Sequence, residues 1–320
     1  MAPSLKQYAH SLQERLDLVW PKPIPAIGLK AKPGFLRIEG IRCVLWGTYG
    51  TLLHVAGGEL LLEHPKEFVT GLAFEKTIEE FKMWGSMSRK PGQPSEYLLT
   101  IFRSLVFEQR STLGILGEKY PEWSSKRIWE GVINKLLKKD YVIDRAKYGS
   151  ISELSEKVSL FYHASLQGVS VYSGASEVLS HLSSLGISQG ILGNGQCFTL
   201  AQLNWGLQLQ GPCDLDNYID QSLGILSAQV GGRKPSERLF NAALEAIKAK
   251  GYAPHQVLHV GVRMQDDLIG ARKVGFKTCL FVGDKSSVEV AMEDLKNPVT
   301  RPDALVTDLA QVSQLFAGKS

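Results

Sequence analysis

Glycines occur in four short segments of this sequence, two of which also carry charged residues, and each segment follows an apolar run or precedes an expected helix. They are GTYGT (47–51), GNGQ (193–196), GGRKP (231–235) and GVRMQDD (261–267). Lysine, arginine and the backbone N–H groups of glycine-rich turns all attract oxyanions, so these segments could bind an anion. The first segment ends the apolar run IRCVLW, where many α/β enzymes keep a catalytic group, yet it contains no carboxylate.

The elements around these segments predict an α/β fold. The run 41–46 is typical of a strand buried on both faces, and from Gly168 onward apolar strands alternate with amphipathic helices. Such alternation favours a three-layer, Rossmann-like parallel sheet with right-handed crossovers. Because ligands bind beyond the carboxyl ends of parallel strands, we expect the four segments to meet at one edge.

The sequence pattern divides the chain into three parts. Residues 1–39 predict a helix, with Leu12, Leu16 and Val19 on one face, and a proline-rich extended arm. Residues 40–58 and 166–320 form the α/β core. Residues 59–165 are helical and aromatic-rich, which indicates an inserted all-helical cap. We expect the three tryptophans of the insertion to pack in its core. They are Trp84, Trp123 and Trp129.

Composition excludes several classes of protein. The 320 residues are 44% hydrophobic and 21% charged, with a net charge of +4, which is typical of a globular protein and does not favour nucleic-acid binding. The four cysteines form no CxxC pair, so no zinc or redox motif is indicated. No secretory signal or membrane-length apolar run is present, and we expect a cytoplasmic protein that binds no membrane.

The order of the four segments, with a helical insertion after the first, resembles the haloacid dehalogenase-like (HAD) superfamily. The resemblance covers 41–57 and most of 168–310, about half of the chain. Its most specific part is the combination of Lys-Pro opening a helix, a strand, a glycine, an acidic pair and GARKVG, followed by RPDALVTDLAQV. The resemblance implies a HAD-like core with a helical cap.

The family's mechanism implies which residues should be present. An aspartate ending the first strand attacks phosphorus, and a second aspartate two residues later is the general acid and base. A serine or threonine after the second strand and a lysine in the third motif hold the transferring group. Mg²⁺ is bound by the nucleophile and by an aspartate of the fourth motif. These groups supply the nucleophile, the proton and the neutralising charge.

This sequence departs from that pattern at the positions that do chemistry. Gly47 stands at the nucleophile position and Tyr49 at the acid–base position, while Gly193 and Val262 replace the second-motif hydroxyl and the metal-binding carboxylate. Loss of one essential group commonly costs about 10⁴-fold in rate, and here several are replaced. The motif residues that remain, or lie beside the motifs, are Thr51, Asn194, Lys234, Arg263, Asp266 and Asp267.

We therefore expect a non-catalytic binding or regulatory module that needs no cofactor. The residues that remain could bind a small phosphorylated or anionic ligand directly, or Lys234 could pair with Asp267 and close the site. A protein partner could bind through the cap or the N-terminal arm. The alternative is a phosphohydrolase with a rebuilt site, in which Tyr49 and Asp267 orient a water and Mg²⁺ is required. His54 and His64, with Glu59 and Glu63 between them, do not have metal-site spacing.

Overall fold

A computed structural model describes residues 2–35, 37–87 and 92–316. Nine strands are present in these ranges. They are β1 (Gly34–Phe35), β2 (Cys43–Trp46), β3 (Leu53–His54), β4 (Ser170–Val171), β5 (Ser188–Gly193), β6 (Gly224–Leu226), β7 (Val257–Gly261), β8 (Lys277–Phe281) and β9 (Ala304–Val306). Seven of them form one sheet in the order β1-β9-β8-β7-β2-β5-β6.

Helices separate the strands. They are α1 (Leu5–Gln13), α2 (Glu67–Glu80), α3 (Pro94–Ile115), α4 (Ser125–Leu137), α5 (Arg145–Tyr148), α6 (Ile151–Leu166), α7 (Ala175–Ser184), α8 (Thr199–Gln210), α9 (Ser227–Val230), α10 (Glu237–Ala249), α11 (Ile269–Lys273) and α12 (Met292–Lys296). A turn of π-helix, Met264–Leu268, precedes α11, and the last segment, Leu309–Phe316, is a 3₁₀-helix.

The sheet is parallel except at one edge, where β1 pairs antiparallel to β9. β2 pairs in parallel with β5 on one side and β7 on the other, and all four of its residues are buried, as expected for a strand covered on both faces. The predicted α/β, Rossmann-like fold class is therefore confirmed. β3 and β4 form a separate antiparallel ribbon, so the sequence leaves and rejoins the α/β part through neighbouring strands.

The chain divides into two compact units. The first, which we call the mainly helical unit, comprises Met1–Lys22, Leu61–Gly168 and Gln196–Trp205. The second, which we call the α/β unit, comprises Pro23–Leu60, Val169–Gly195 and Gly206–Ser320. The three-part division predicted from the sequence has other bounds and stays a prediction.

The core of the mainly helical unit is aromatic. Phe74 of α2 and Tyr162 of α6 have ring centroids 4.8 Å apart, and Phe102 and Trp129 complete the cluster. Trp123 and Trp129 are buried as predicted, whereas the prediction for Trp84 is wrong, because its residue is 58% exposed. A tryptophan at helical spacing therefore marks an apolar face without showing which of its members the fold covers.

The N-terminal helix is shorter than its apolar pattern predicts. Ser4 Oγ accepts from the N–H of Gln7, which starts α1, and Leu12 on its inner face is buried. The helix ends at Gln13, and Leu16 and Val19 are 98% and 76% exposed, so the prediction that they share a helix face with Leu12 is wrong.

α10 shows how local sequence positions the loops of the α/β unit. Ser236 caps its first turn, and its inner face is lined by Leu239, Phe240, Ala243 and Ile247 at helical spacing. Gly270 of α11 lies directly against Phe240, since an added Cβ would fall 2.2 Å from the ring. This close approach holds α10 and α11, and the loops that precede them, against one sheet.

Candidate functional site

Three of the four predicted segments lie side by side at the C-terminal edge of the sheet. Gly47 directly follows β2, Gly193 ends β5 and Gly261 ends β7, and these strands are neighbours in the order β7-β2-β5. The fourth segment is tied to them, because the N–H of Lys234 donates to Asn194 Oδ1 over 2.8 Å. The sequence-based expectation that the segments meet at this edge is therefore correct.

The turn after β2 is filled by its own threonine. An added Cβ on Gly47 would lie 2.5 Å from Thr51 Oγ1 and 3.1 Å from the carbonyl oxygen of Val260. Thr51 is only 1% exposed. The space directly beside the strand tip is thus occupied by the Thr51 side chain.

Thr48, which sequence reasoning missed, fills the neighbouring turn. An added Cβ on Gly193 would lie 2.4 Å from Thr48 Oγ1, and the same hydroxyl donates to the carbonyl of Asn194 over 2.8 Å. The threonine therefore occupies the position into which a larger residue at 193 would project.

Backbone N–H groups of the first turn already have acceptors. Those of Thr51, Leu52 and Leu53 all donate to the carbonyl oxygen of Thr48 at 3.0–3.1 Å, and that of Gly50 donates to Leu53. We expected this turn to offer N–H donors to an anion. Within the turn itself, the N–H groups of Gly47, Gly50 and Thr51 instead donate to backbone carbonyl groups of the protein.

Tyr49 and Val262 are buried at the same edge, at 7% and 3% exposure. Gly50 has φ 86° and approaches Val262 so closely that an added Cβ would lie 3.0 Å from Val262 Cγ2. An apolar side chain therefore closes the position after β7.

Lys234 and Asp267 form a buried ion pair beneath these turns. The second carboxylate oxygen, Asp267 Oδ2, accepts the N–H groups of Val262 at 2.9 Å and Arg263 at 3.0 Å. Asp267 thereby fixes the loop after β7 with one oxygen and neutralises the lysine with the other. This is the pairing that the sequence left open as an alternative to ligand binding.

His259 completes this group and was missed by sequence reasoning. Its Nδ1 lies 2.8 Å from the carbonyl oxygen of Leu45, and its Nε2 lies 3.2 Å from Lys234 Nζ. A carbonyl only accepts, so Nδ1 carries the proton and Nε2 accepts from the lysine. The signal was present in the sequence, because one histidine interrupts the apolar run QVLHVG.

The pKa shifts agree with a neutral histidine between two paired charges. Burial, and then the charge of Lys234, lower the pKa of His259 below its ordinary value. Burial would raise the pKa of Asp267, but the charge of Lys234 and the hydrogen bond from its ammonium outweigh burial, so this pKa lies well below the usual range. At neutral pH the group therefore contains one cation, one anion and a neutral imidazole.

A second, more exposed charged group lies in the same loops. Arg233 Nη2 donates to Glu59 Oε1 over 2.9 Å, and Arg263 Nη1 binds the same oxygen. Arg263 Nη2 also donates to the carbonyl of Gly57 over 3.0 Å, while Asp266 Oδ2 is 3.7 Å from Nη1. We call Arg233, Arg263 and Glu59 the arginine clasp. No spacing in the sequence connects Glu59 with the two arginines, so it was not predicted.

Asp266 has a crowded electrostatic environment. Burial raises its pKa, Arg263 lowers it, and the nearby carboxylates of Asp267, Glu289 and Glu59 raise it again. The resulting pKa is higher than that of an ordinary aspartate. Of the predicted acidic pair, Asp267 thus lies in the buried group and Asp266 beside the clasp.

The two histidines considered in the sequence have separate environments. His54 is buried, with Nδ1 3.1 Å from the Tyr172 hydroxyl and Nε2 2.6 Å from the carbonyl oxygen of Ile24. His64 Nδ1 accepts the N–H of Lys66 over 3.0 Å. Within residues 2–35, 37–87 and 92–316, no group of three or more His, Cys, Asp or Glu is arranged to hold a metal ion.

A groove of about 380 Å³ lies elsewhere in the α/β unit, lined by Pro23–Ala26, His54 and Ser170–Ser173. Its lining contains none of the predicted site residues.

Among the described residues no helix has the length and apolar character needed to cross a bilayer.

Comparisons with known proteins find similarity to a HAD-hydrolase-like family model, to phosphatases and to a dehalogenase. Residues 232–312 match a protein-family model described as HAD-hydrolase-like. The chain is 27% identical over 144 residues to glyceraldehyde 3-phosphate phosphatase of Pyrococcus furiosus, a match covering 45% of this chain and 53% of that protein. It is 32% identical over 108 residues to the protein of that name from Pyrococcus abyssi, covering 34% and 41%. The matches therefore span about half, or less, of these relatives.

Solved structures give the same fold. A 2-haloacid dehalogenase from Pseudomonas syringae pv. Tomato matches over 86% of this chain and 98% of its own, with a TM-score of 0.50 and 19% identity. At that identity the likeness concerns the fold.

Proposed function

We propose that this chain, which belongs to the haloacid dehalogenase-like superfamily, is a non-catalytic member that uses the family's hydrolase fold as a binding or regulatory module. The family resemblance implies an aspartate at the tip of the first strand, and this chain has Gly47 there. A glycine supplies no nucleophile, and a tyrosine stands two residues later; the pKa of a tyrosine side chain is ordinarily about 10, which makes this residue type a poor acid–base group at neutral pH.

One observation carries the proposal: Lys234, the motif cation, is bound to Asp267 and His259 inside the protein. In a phosphoryl-transfer site such a lysine would face the transferring group and neutralise its charge. Here a carboxylate of the same chain neutralises it, and both partners are buried. The arrangement stabilises the loops at the sheet edge and leaves the lysine satisfied without a ligand.

The filled strand tips support the same interpretation. Thr51 and Thr48 occupy the directions into which side chains at positions 47 and 193 would project. Mg²⁺ prefers hard oxygen ligands and usually one or two protein carboxylates. The residues at the two expected metal-binding positions are Gly47 and Val262, which offer no side-chain oxygen. The donor set at this edge therefore does not fit Mg²⁺.

The alternative is a phosphohydrolase with a rebuilt site in which Asp267 orients a water. The similarity of this chain to two phosphatases favours this alternative. The geometry of Asp267 opposes it, because Oδ1 contacts Lys234 and Oδ2 accepts two backbone N–H groups. Such a carboxylate is placed to hold a loop.

The test is turnover of 4-nitrophenyl phosphate with and without Mg²⁺, by the wild type and by the variant Gly47→Asp/Tyr49→Asp/Val262→Asp. Since an added Cβ at 47 would approach Thr51 closely, the variant is also made with Thr51→Ala. We expect no Mg²⁺-dependent turnover by the wild type, and gain of activity in a variant would support loss of catalysis by substitution. Mg²⁺-dependent wild-type turnover would contradict the proposal.

A further inference from the structure

We infer that the two arginines of the clasp form an oxyanion-binding site, and that the Glu59 carboxylate is an internal ligand with which an external phosphate competes. The inference rests on the proposed binding function and names the ligand class and the regulation of that site. It places the ligand on Arg233 and Arg263, outside the buried Lys234–Asp267 pair.

Two guanidinium groups from different loops converge on one oxygen atom. Arg233 Nη2 is 2.9 Å from Glu59 Oε1, and Arg263 Nη1 binds the same Oε1. Planar guanidinium groups recognise carboxylate and phosphate oxygens by the same hydrogen-bonding geometry. An arrangement that binds the carboxylate of Glu59 is therefore suited to bind another oxyanion in its place.

The loops that carry the arginines are held independently of Glu59. The N–H of Arg263 donates to Asp267 Oδ2 over 3.0 Å, and the carbonyl of Arg233 accepts from the N–H of Ser236 over 2.8 Å. The next residue, Lys234, is fixed to Asn194 over 2.8 Å. Because their backbones are fixed, the two loops keep their positions if Glu59 leaves, and a new ligand has only the arginine side chains to order.

The segment that carries Glu59 approaches the site through two glycines. Gly57 and Gly58 have φ of 74° and 65°, and an added Cβ on Gly58 would lie 2.8 Å from Ser287 Cβ. The N–H of Gly57 donates to Ser286 Oγ over 3.2 Å. These contacts deliver Glu59 to the arginines, while the Glu59 side chain itself is 37% exposed.

This exposure makes exchange feasible. The side chains of Arg233 and Arg263 are 35% and 19% exposed, so solvent reaches the site. Ion pairs at this level of exposure contribute little to stability, and replacing Glu59 by another anion therefore costs little. The buried Lys234–Asp267 pair offers no comparable access.

With Glu59 displaced, the two guanidinium charges attract a dianion more strongly than a monoanion. Asp266 Oδ2 lies 3.7 Å from Arg263 Nη1, and its negative charge opposes any incoming anion. A phosphate group carries close to two charges near neutral pH and three acceptor oxygens, whereas a carboxylate carries one charge. We therefore expect a phosphate-bearing ligand to displace Glu59 and a simple carboxylate to fail.

The experiment is a metal-free calorimetric titration with inorganic phosphate and, separately, with acetate. It compares the wild type, Glu59→Gln and the matched control Glu63→Gln, whose carboxylate pairs with Arg103 in the other unit at 2.6 Å. Removing the competing charge should tighten phosphate binding by Glu59→Gln about tenfold relative to the wild type and control. Acetate should bind none of them measurably.

A second variant tests the site itself. Glu59→Gln/Arg263→Met should lose the gain in phosphate affinity. The inference is overturned if Glu59→Gln binds phosphate no more tightly than Glu63→Gln, or if the gain survives Arg263→Met. Wild-type phosphatase turnover would instead overturn the proposed function and leave this comparison of affinities standing, so the two failures are distinguishable.

Discussion

The two charged groups at the C-terminal edge of the sheet differ in burial although neighbouring residues supply them. The side chains of Lys234, Asp267 and His259 are at most 9% exposed, whereas those of the arginine clasp are between 19% and 37% exposed. A buried charge needs a permanent partner, while an exposed one exchanges partners at little cost. The inner group, Lys234, Asp267 and His259, therefore maintains the fold. The outer group, which is the arginine clasp, is where a ligand could bind.

The largest loss of stability is expected when the buried ion pair of Lys234 and Asp267 is broken. Lys234→Met leaves the Asp267 carboxylate buried without its cation, and we expect the free energy of unfolding to fall by about 3–5 kcal/mol. Urea denaturation followed by circular dichroism measures the change. Lys250→Met is the control, because its pair with Asp220 is exposed and should contribute less than about 1 kcal/mol.

The double variant Lys234→Met/Asp267→Asn sharpens this result. The asparagine carbonyl still accepts from the loop N–H groups but carries no charge, so the double variant should be more stable than Lys234→Met. A loss below about 1 kcal/mol in Lys234→Met, or no recovery in the double variant, would show that the pair is not structural.

The next largest loss of stability is expected from overpacking the turn after β2, beside the inner group. Gly47→Ala would place a Cβ 2.5 Å from Thr51 Oγ1, and overpacking of this kind costs about 1–3 kcal/mol. Gly34→Ala is the matched control, since nothing lies within 4 Å of its added Cβ. If the two variants are equally stable by thermal denaturation, the strand tip is not filled as described.

The imidazole of the inner group predicts a pH dependence of smaller size. The pKa of His259 is lowered in the folded protein, so its contribution to stability is present above the unfolded pKa of about 6.5 and is lost as the pH falls. Between pH 7.5 and 5.5 this loss is at most about 1.4 kcal/mol. The depressed pKa of Asp267 adds nothing to this window, because an unfolded aspartate titrates near pH 4.

The variant His259→Gln isolates the contribution that the titration of His259 makes to the pH dependence of stability. Its amide can donate to Leu45 and accept from Lys234 but does not titrate, so its stability should fall less than that of the wild type over the same pH range. His163, whose pKa burial lowers to about 3, is present in both proteins and cancels. Parallel pH profiles would exclude His259 as the titrating group.

The smallest effect is expected at the outer group. Glu59→Gln should change the free energy of unfolding by less than about 1 kcal/mol, because the pairs are partly exposed and screened by solvent. Chemical denaturation at low and high salt measures it. A loss comparable with that of Lys234→Met would remove the distinction between the two groups.

Much of the fold could be predicted from the sequence because its signals are local. The apolar run before Gly47 contains the buried strand β2 as predicted, and strands alternate with helices after Gly168 as predicted. Local signals were wrong where tertiary contacts decide. Leu16 and Val19 continue the apolar spacing of Leu12 but lie beyond the end of α1, and Trp84 is exposed although its spacing predicted burial.

The site was only partly predictable for a related reason. The pairing of Lys234 with Asp267 was one of two alternatives, since both belong to recognisable motifs. The role of His259 depends on the register of β7 against β2, which brings it to the carbonyl of Leu45. Glu59 reaches its arginines through a turn of positive φ at Gly57 and Gly58. Spacing along the chain encodes neither contact.

The most direct test of the central claim is Mg²⁺-dependent hydrolysis of an aryl phosphate by the wild type and Lys234→Met side by side, at a temperature where both are folded. If Lys234 is committed to Asp267, the two proteins will release phosphate at the same background rate, with or without the metal. Hydrolysis by the wild type that Mg²⁺ accelerates and Lys234→Met abolishes would contradict the account.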